Sequence, residues 1–273
     1  MKILIYLGSE SYNHPPVHMG KIIGQATKAD IHVLIVVPKD GHRENGEAVA
    51  DQAALDLNGL SPQILIKQGR SSAIIHEALD QEEYQMVITN ADRVNRFRKS
   101  ADVDPVLFKQ STISLLLTEN AKPKLEKILV CSGCKEDDYS LTTQTVKLAA
   151  DLNASLTLLH VIPGSVPTMY TGLDLIEEKV EELLQTNTPF AQHLRRDVEI
   201  LNESGVSSSV KIRRGIPIEE IVRETQKDNY DLIVIGSSKV NEGLKEMILG
   251  NMTVKIIDRL ALPVLIVGTR ILA

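Results

Sequence analysis

Lys127-Ile128-Leu129-Val130 restates Lys2-Ile3-Leu4-Ile5, and the chain after each copy continues the likeness. Ser155-Leu156-Thr157-Leu158-Leu159-His160-Val161-Ile162-Pro163 follows the pattern of Ile31-His32-Val33-Leu34-Ile35-Val36-Val37-Pro38. Ser209-Val210-Lys211-Ile212-Arg213-Arg214-Gly215 matches Gln63-Ile64-Leu65-Ile66-Lys67-Gln68-Gly69. Tyr230-Asp231-Leu232-Ile233-Val234-Ile235-Gly236 matches Tyr84-Gln85-Met86-Val87-Ile88-Thr89-Asn90, and Pro263-Val264-Leu265-Ile266-Val267 matches Ile113-Ser114-Leu115-Leu116-Leu117. Correspondences in one order along both halves identify a tandem repeat. The join falls near Lys122-Pro123-Lys124, giving expected domains 1–121 and 125–273.

Each short apolar run, rich in Val, Ile and Leu and bounded by Gly or Pro, reads as a buried strand. Helical patterns lie between the runs. Pro217-Ile218-Glu219-Glu220-Ile221-Val222 opens one of them, with Pro in the tolerant first turn and carboxylates at the positive helix end. Strands alternating with helices make a parallel sheet, because parallel neighbours need crossover connections. The expected fold class is α/β, as two tandem open five-stranded parallel-sheet domains.

Composition excludes several classes. The 273 residues are 43% hydrophobic and 24% charged, ordinary for a globular chain of about two domains. A net charge of −6 offers no basic field for nucleic-acid phosphates, and six Tyr, three Phe and no Trp offer few stacking platforms. The apolar start at Met1 ends at Gly8, too short for a secretory segment, and no run approaches a spanning helix. The two cysteines make no disulfide framework. The expected location is the cytoplasm, with no nucleic-acid or membrane partner.

The halves differ most at 163–205, a longer excursion than 39–59. It reads as a helix over Asp174 to Gln185, with Ile176, Val180, Leu183 and Leu184 on one face. A second helix opens at Thr188-Pro189 and carries Phe190, Leu194, Val198 and Leu201. Residues 164–172 mix turn formers with Met169 and Tyr170, which suits either a lid or a helical elaboration on the sheet.

In an open parallel sheet, ligands sit beyond the carboxyl ends of the strands where strand order reverses. The segment after the fourth strand of the second half runs from Gly236-Ser237-Ser238-Lys239 through Gly243 to Gly250-Asn251-Met252-Thr253. Gly236 and Gly243 permit tight turns, and Gly250 permits close backbone approach. A helix starting near Asn251 would turn free N–H groups toward an anion beside Gly250. Lys239 and Lys245 add positive charge. The same stretch also suits a plain strand-to-helix loop that uses Gly only for geometry.

Val234-Ile235-Gly236-Ser237, the Gly-containing loop, Leu244-Lys245-Glu246-Met247-Ile248-Leu249-Gly250 and Leu262-Pro263-Val264-Leu265-Ile266-Val267 together resemble the universal stress protein (UspA) family. The resemblance covers nearly the whole chain as two copies and is strongest over 207–268. It implies a Rossmann-like, adenine-nucleotide-binding domain in which many members hold ATP with the pattern Gly-x2-Gly-x9-Gly-Ser/Thr. Gly236 and Gly250 match its first and last glycines. Lys239 replaces the second Gly, Asn251 replaces Ser/Thr with Thr253 two residues on, and one extra residue separates Gly236 from Gly250. The Asp that members carry after the first strand is replaced by Gly8 and Gly133.

The implied nucleotide contacts are Gly133, Val161, Ile162, Gly236, Ser237, Lys239, Gly250, Asn251, Met252 and Thr253. The first half has Asn90 and a charged loop, Ala91 to Lys99, in place of the Gly framework, so no nucleotide is expected there. The resemblance further implies a pseudo-twofold axis, with Ile113–Leu117 paired to Val264–Val267. Covering these two apolar edges would remove unpaired backbone groups.

Other constellations are weaker. Cys131-Ser132-Gly133-Cys134 lies between a strand and a helix, where a thiolate is stabilised, but one Cys pair makes no four-ligand zinc site. His14 and His18 stand at i and i+4, although Pro15 and Pro16 oppose a helix before Val17. No Ser-His-Asp or paired-carboxylate arrangement stands out locally.

The expected function is a stress-response protein that binds ATP or AMP in its second half as a regulatory ligand, with or without Mg2+. The competing reading is a scaffold that takes no nucleotide and acts through a protein or small apolar partner. A homodimer suits either. No base or metal carboxylate is identified for catalysis, while the resemblance leaves slow ATP hydrolysis open.

Overall fold

The structure is a computed structural model, and it describes residues 1–9, 12, 14–90, 112–118, 122–133, 138–163, 180–236, 255–256, 259–260 and 262–268. The chain divides into two compact units. The first contains Met1–Lys124 together with the last strand; the second contains Leu125–Gly236.

In the first unit the elements are β1 (Lys2–Gly8), α1 (His14–Thr27), β2 (Asp30–Val37), α2 (Arg43–Asp56), β3 (Gln63–Gln68), α3 (Ser71–Gln81), β4 (Met86–Asn90) and β5 (Ser114–Thr118). The second unit runs β6 (Lys127–Ser132), α4 (Asp138–Leu152), β7 (Ser155–Pro163), α5 (Val180–Leu184), α6 (Pro189–Glu203), β8 (Ser208–Gly215), α7 (Pro217–Lys227) and β9 (Leu232–Gly236). The last strand is β10 (Val264–Val267). Five strands per half appear where the apolar runs place them.

The strand order of the first unit is β3-β2-β1-β4-β5-β10. Its first five strands are parallel, and β10 is antiparallel to β5. β1 and β4 are buried almost throughout because helices cover both faces, which is why they read as continuous apolar runs. The pairing of β5 with β10 sets Val264 against Leu117, Leu265 against Leu116 and Ile266 against Leu115. This is the pairing expected of the two final runs.

The second unit orders its strands β9-β6-β7-β8, all parallel. The chain steps from β6 outward through β7 to β8, then returns to the other side of β6 with β9. Strand order therefore reverses between β6 and β9.

The helices correct some expectations and bear out others. α1 begins at His14 rather than after the prolines. Pro15 and Pro16 occupy its first turn, where no intrahelical N–H is required. Val180, Leu183 and Leu184 share the more covered face of α5 as expected, half-buried while Glu181 and Glu182 are exposed; Ile176 lies outside the described residues. α6 does start after Thr188, whose hydroxyl accepts from Ala191 N–H at 3.2 Å as an N-cap. Its buried face, however, is Ala191, Leu194, Asp197 and Leu201, with Phe190 and Val198 only half-buried. α6 packs on α4 and β8, so this part of the excursion is a helical elaboration of the sheet. The lid reading of 164–172 lies outside the described residues.

Candidate functional site at the carboxyl ends of the second unit

Gly133 follows the last residue of β6, and Gly236 ends β9. The ladder pairs Cys131 with Ile235, so the two glycines stand at the carboxyl ends of adjacent parallel strands. On the other side of β6, Ser132 pairs with His160 of β7, and Val161 and Ile162 complete that strand. Val161 is buried and Ile162 half-buried. Of the expected contacts, Gly133, Gly236, Val161 and Ile162 thus share one edge of the sheet. Ser237, Lys239, Gly250, Asn251, Met252 and Thr253 lie outside the described residues.

Register places Ser132, His160 and Ile212 on one face, because partners across a ladder point the same way. α4 and α6 bring polar groups to that face. Thr142 Oγ1 donates to Asp197 Oδ1 at 2.7 Å, and Ser132 Oγ makes a long 3.5 Å contact to Asp197 Oδ2. His160 Nδ1 lies 2.8 Å from the Ser132 carbonyl oxygen, which fixes Nδ1 as the protonated ring nitrogen. The Phe190 ring lies 4.5 Å from the His160 ring, centroid to centroid. Asp197 is 3% exposed, Thr142 1% and His160 4%.

Ser132, His160 and Asp197 are therefore a spatial group that no local spacing announces. The group is not arranged as a nucleophilic triad, in which the imidazole N–H donates to the carboxylate and the serine hydroxyl donates to the other ring nitrogen. Here His160 Nδ1–H donates to a main-chain carbonyl and the Ser132 hydroxyl faces Asp197.

The opposite face of β8 carries a second buried polar group. Glu224 of α7 accepts from Lys211 Nζ at 2.7 Å, from Tyr230 OH at 2.7 Å and from Arg213 Nη2. Arg213 also lies 3.7 Å from Glu220, which accepts from Arg223. Burial alone would push the Glu224 carboxyl up, but the Lys211 and Tyr230 hydrogen bonds and the Arg213 charge outweigh it and hold it below the usual range. Where Lys211, Glu220 and Glu224 fall in the first unit the chain has Leu65, Ile74 and Ala78, while Arg213 and Tyr230 match Lys67 and Tyr84. Neither buried group was evident in the sequence. A mismatch between halves, polar in one and apolar in the other, is the signal that could have found both.

Cys131 sits on β6 with its thiol pushed up to about 12 by burial and by the Glu224 charge. That is the opposite of an activated thiolate. Cys134 lies outside the described residues. His18 Nε2 lies 3.0 Å from the Lys122 carbonyl oxygen, so it ties α1 to the segment joining the halves. Among the described residues, no group of three His, Cys, Asp or Glu is arranged to hold a metal ion. No helix among them is long and apolar enough to cross a membrane.

The corresponding edge of the first unit is built differently. Gln68 Nε2 reaches the carbonyl oxygens of Pro38, Lys39 and Gly41 at 3.3, 3.2 and 2.9 Å, folding the β2–α2 loop against the end of β3. Asn90, at the end of β4, is buried. The charged loop after it lies outside the described residues.

This architecture has close counterparts among known proteins. The universal stress protein family model matches residues 124–268. Universal stress protein YxiE of Bacillus subtilis is 29% identical over 148 residues, 52% of this chain and 97% of the relative. Universal stress protein MJ0531 of Methanocaldococcus jannaschii is 24% identical over 151 residues, 55% of this chain and 86% of the relative. The solved structure of a putative universal stress protein from Pseudomonas aeruginosa UCBPP-PA14 superposes with a TM-score of 0.67 at 19% identity. It covers 97% of this chain and 92% of its own, so the shared fold extends over both halves. The chain belongs to the universal stress protein family.

Proposed function

We propose that the protein is a non-catalytic regulator in stress response that binds one adenine nucleotide, ATP or AMP, at the carboxyl edge of its second half. The observation that carries this reading is the placement of Gly133 and Gly236 at the ends of β6 and β9, where strand order reverses. That crevice is where open parallel sheets take ligands. Two strand ends without side chains leave room for a ribose or a phosphate to approach main-chain N–H groups. Val161 and Ile162 supply apolar surface beside it for a base. Lys239, Gly250, Asn251 and Thr253 enter the proposal on the sequence pattern alone.

The first half enters as a structural partner without a ligand. Its β1 ends in Gly8 as β6 runs into Gly133, but β4 ends in the buried Asn90 where β9 ends in Gly236, and the sequence has no glycine between Gly69 and Gly133 to match Gly250.

Calorimetry and thermal shift on the full chain with ATP, ADP, AMP and cyclic AMP test the proposal. A ligand that binds only the folded state at a hundred times its Kd adds about 2.7 kcal/mol of stability. One site per chain is the expected stoichiometry. Two equal sites would overturn the assignment to the second half. No response to any nucleotide would overturn the proposal and favour the scaffold reading.

A further inference from the structure

Ser132, Thr142 and His160 stand at the offset that relates Lys127 to Lys2, and the first unit has Leu7, Val17 and Ile35 at those places. All six are buried. The registers agree: Leu7 pairs with Ile35 as Ser132 pairs with His160. α2, which covers this face in the first unit, buries Gly46, Val49 and Ala53, whereas α6 buries Asp197 among its apolar residues. The fold thus has a working apolar solution for this region, and only the second half departs from it. Burying a carboxylate, an imidazole and two hydroxyls is costly unless their hydrogen bonds are met. Such a departure at the ligand end of a sheet needs a reason beyond packing.

The geometry supplies one. Two contacts fix Ser132: its carbonyl accepts from His160 Nδ1–H and its hydroxyl faces Asp197. No cis peptide bond occurs among the described residues. In a planar trans peptide the carbonyl and the next N–H point in opposite directions. Turning the Ser132 carbonyl toward His160 therefore turns the Gly133 N–H away from β7. Phe190 packs on the imidazole and Asp197 anchors Thr142 of α4, so the ring and the strand end are held from two helices.

We infer that His160 and Asp197 are positioning residues for the nucleotide, setting the Gly133 N–H as a fixed donor to a ligand acceptor. This rests on the adenine-nucleotide reading above. The first half has Ile35, which carries no donor, in place of the imidazole.

The test compares His160→Leu with His160→Asn in the full chain, using ATP and AMP calorimetry beside thermal unfolding. Asn can place an amide N–H where Nδ1–H stands, while Leu keeps the bulk and removes the donor. Expected is a loss of about tenfold in affinity for Leu and recovery to within about threefold for Asn. Asp197→Asn serves as a second probe, with a smaller loss expected because the amide keeps one acceptor oxygen for Thr142. Equal affinity for wild type and His160→Leu would overturn the inference while leaving the nucleotide reading intact. If His160→Leu fails to fold, the Asn variant decides instead: an affinity reduced about tenfold, although the amide donor is in place, would overturn the role of the donor. A wild type that takes up no nucleotide overturns the underlying reading and this inference with it.

Discussion

Leu116 of β5 lies opposite Leu265 of β10 across an antiparallel ladder, and both are fully buried. One strand from near the end of the sequence thus completes the sheet of the first unit. Gly268, just beyond β10, donates its N–H to Ser114 Oγ at 3.1 Å. A Cβ at Gly268 would come within 2.6 Å of the Thr112 carbonyl oxygen and the Ile113 carbonyl carbon. Main-chain atoms cannot swing aside as a flexible side chain can.

The junction therefore has two sensitive points. Leu265→Ala should cost about 2–5 kcal/mol through lost burial and a cavity. Gly268→Ala should destabilise despite adding a single methyl, because the clash is with backbone. Urea unfolding checks both. A Gly268→Ala midpoint equal to wild type would show that β10 can shift without loss.

Acid should unravel the second unit through Glu224. Its folded pKa lies below the usual 4.5, so the unfolded chain takes up the proton more readily. The stabilisation is complete above about pH 4.5 and is lost as pH falls through the lower, folded value. Glu224→Gln should cost roughly 3–5 kcal/mol at neutral pH, because Arg213 is left buried beside a weaker partner. It should also flatten the acid limb of the stability curve. Denaturant midpoints between pH 3 and 7 for both proteins read this directly.

Cys131 should be chemically quiet. With its thiol pushed up to about 12, on the order of 1 in 10,000 molecules carries the thiolate at pH 8. In a Cys134→Ser background, native protein should react with a thiol-directed disulfide reagent far more slowly than urea-unfolded protein. Rapid reaction of the folded chain would revive a redox role for the CxxC segment.

The nucleotide assignment predicts an unequal response to substitution. Gly250→Val should abolish ATP binding by placing branched carbons where the pattern brings backbone to the phosphates, and Asn90→Ala should leave it nearly intact. The missing carboxylate at Gly133 points to modest affinity and weak discrimination among bases. Calorimetry on the two variants checks the pair, and indifference to Gly250→Val would defeat the assignment.

The strands were legible because burial on both faces leaves its mark in composition: Ile3 to Leu7, Val33 to Val37 and Ile233 to Ile235 are apolar runs that need no partner to be recognised. The tandem order and the pairing of the final strands followed from repetition and from the cost of open edges. The polar interior was not legible. Ser132, Thr142, His160 and Asp197 are separated by stretches of unrelated length, and polar residues are ordinarily assigned to the surface. Asp197 is hidden on α6 because Phe190, Leu194, Val198 and Leu201 offer an apolar spacing one step around the same helix. The start of α1 is hard to read for a related reason. Proline is a breaker in mid-helix and a starter in the first turn, and only the turn before it distinguishes the two.

The place of β10 also sets a timetable for synthesis. β5 leaves the ribosome with its outer edge unpaired, and the strand that covers it lies more than half the chain's length further on. At about 5–20 residues per second, that edge waits on the order of ten seconds or more. During this interval Leu115, Leu116 and Leu117 offer an apolar template to any neighbouring nascent chain. Chains stalled before residue 262 are therefore expected to be held by chaperones and cut near β5 by added protease, and completed chains to resist both. The first half is translated first, yet it is finished last.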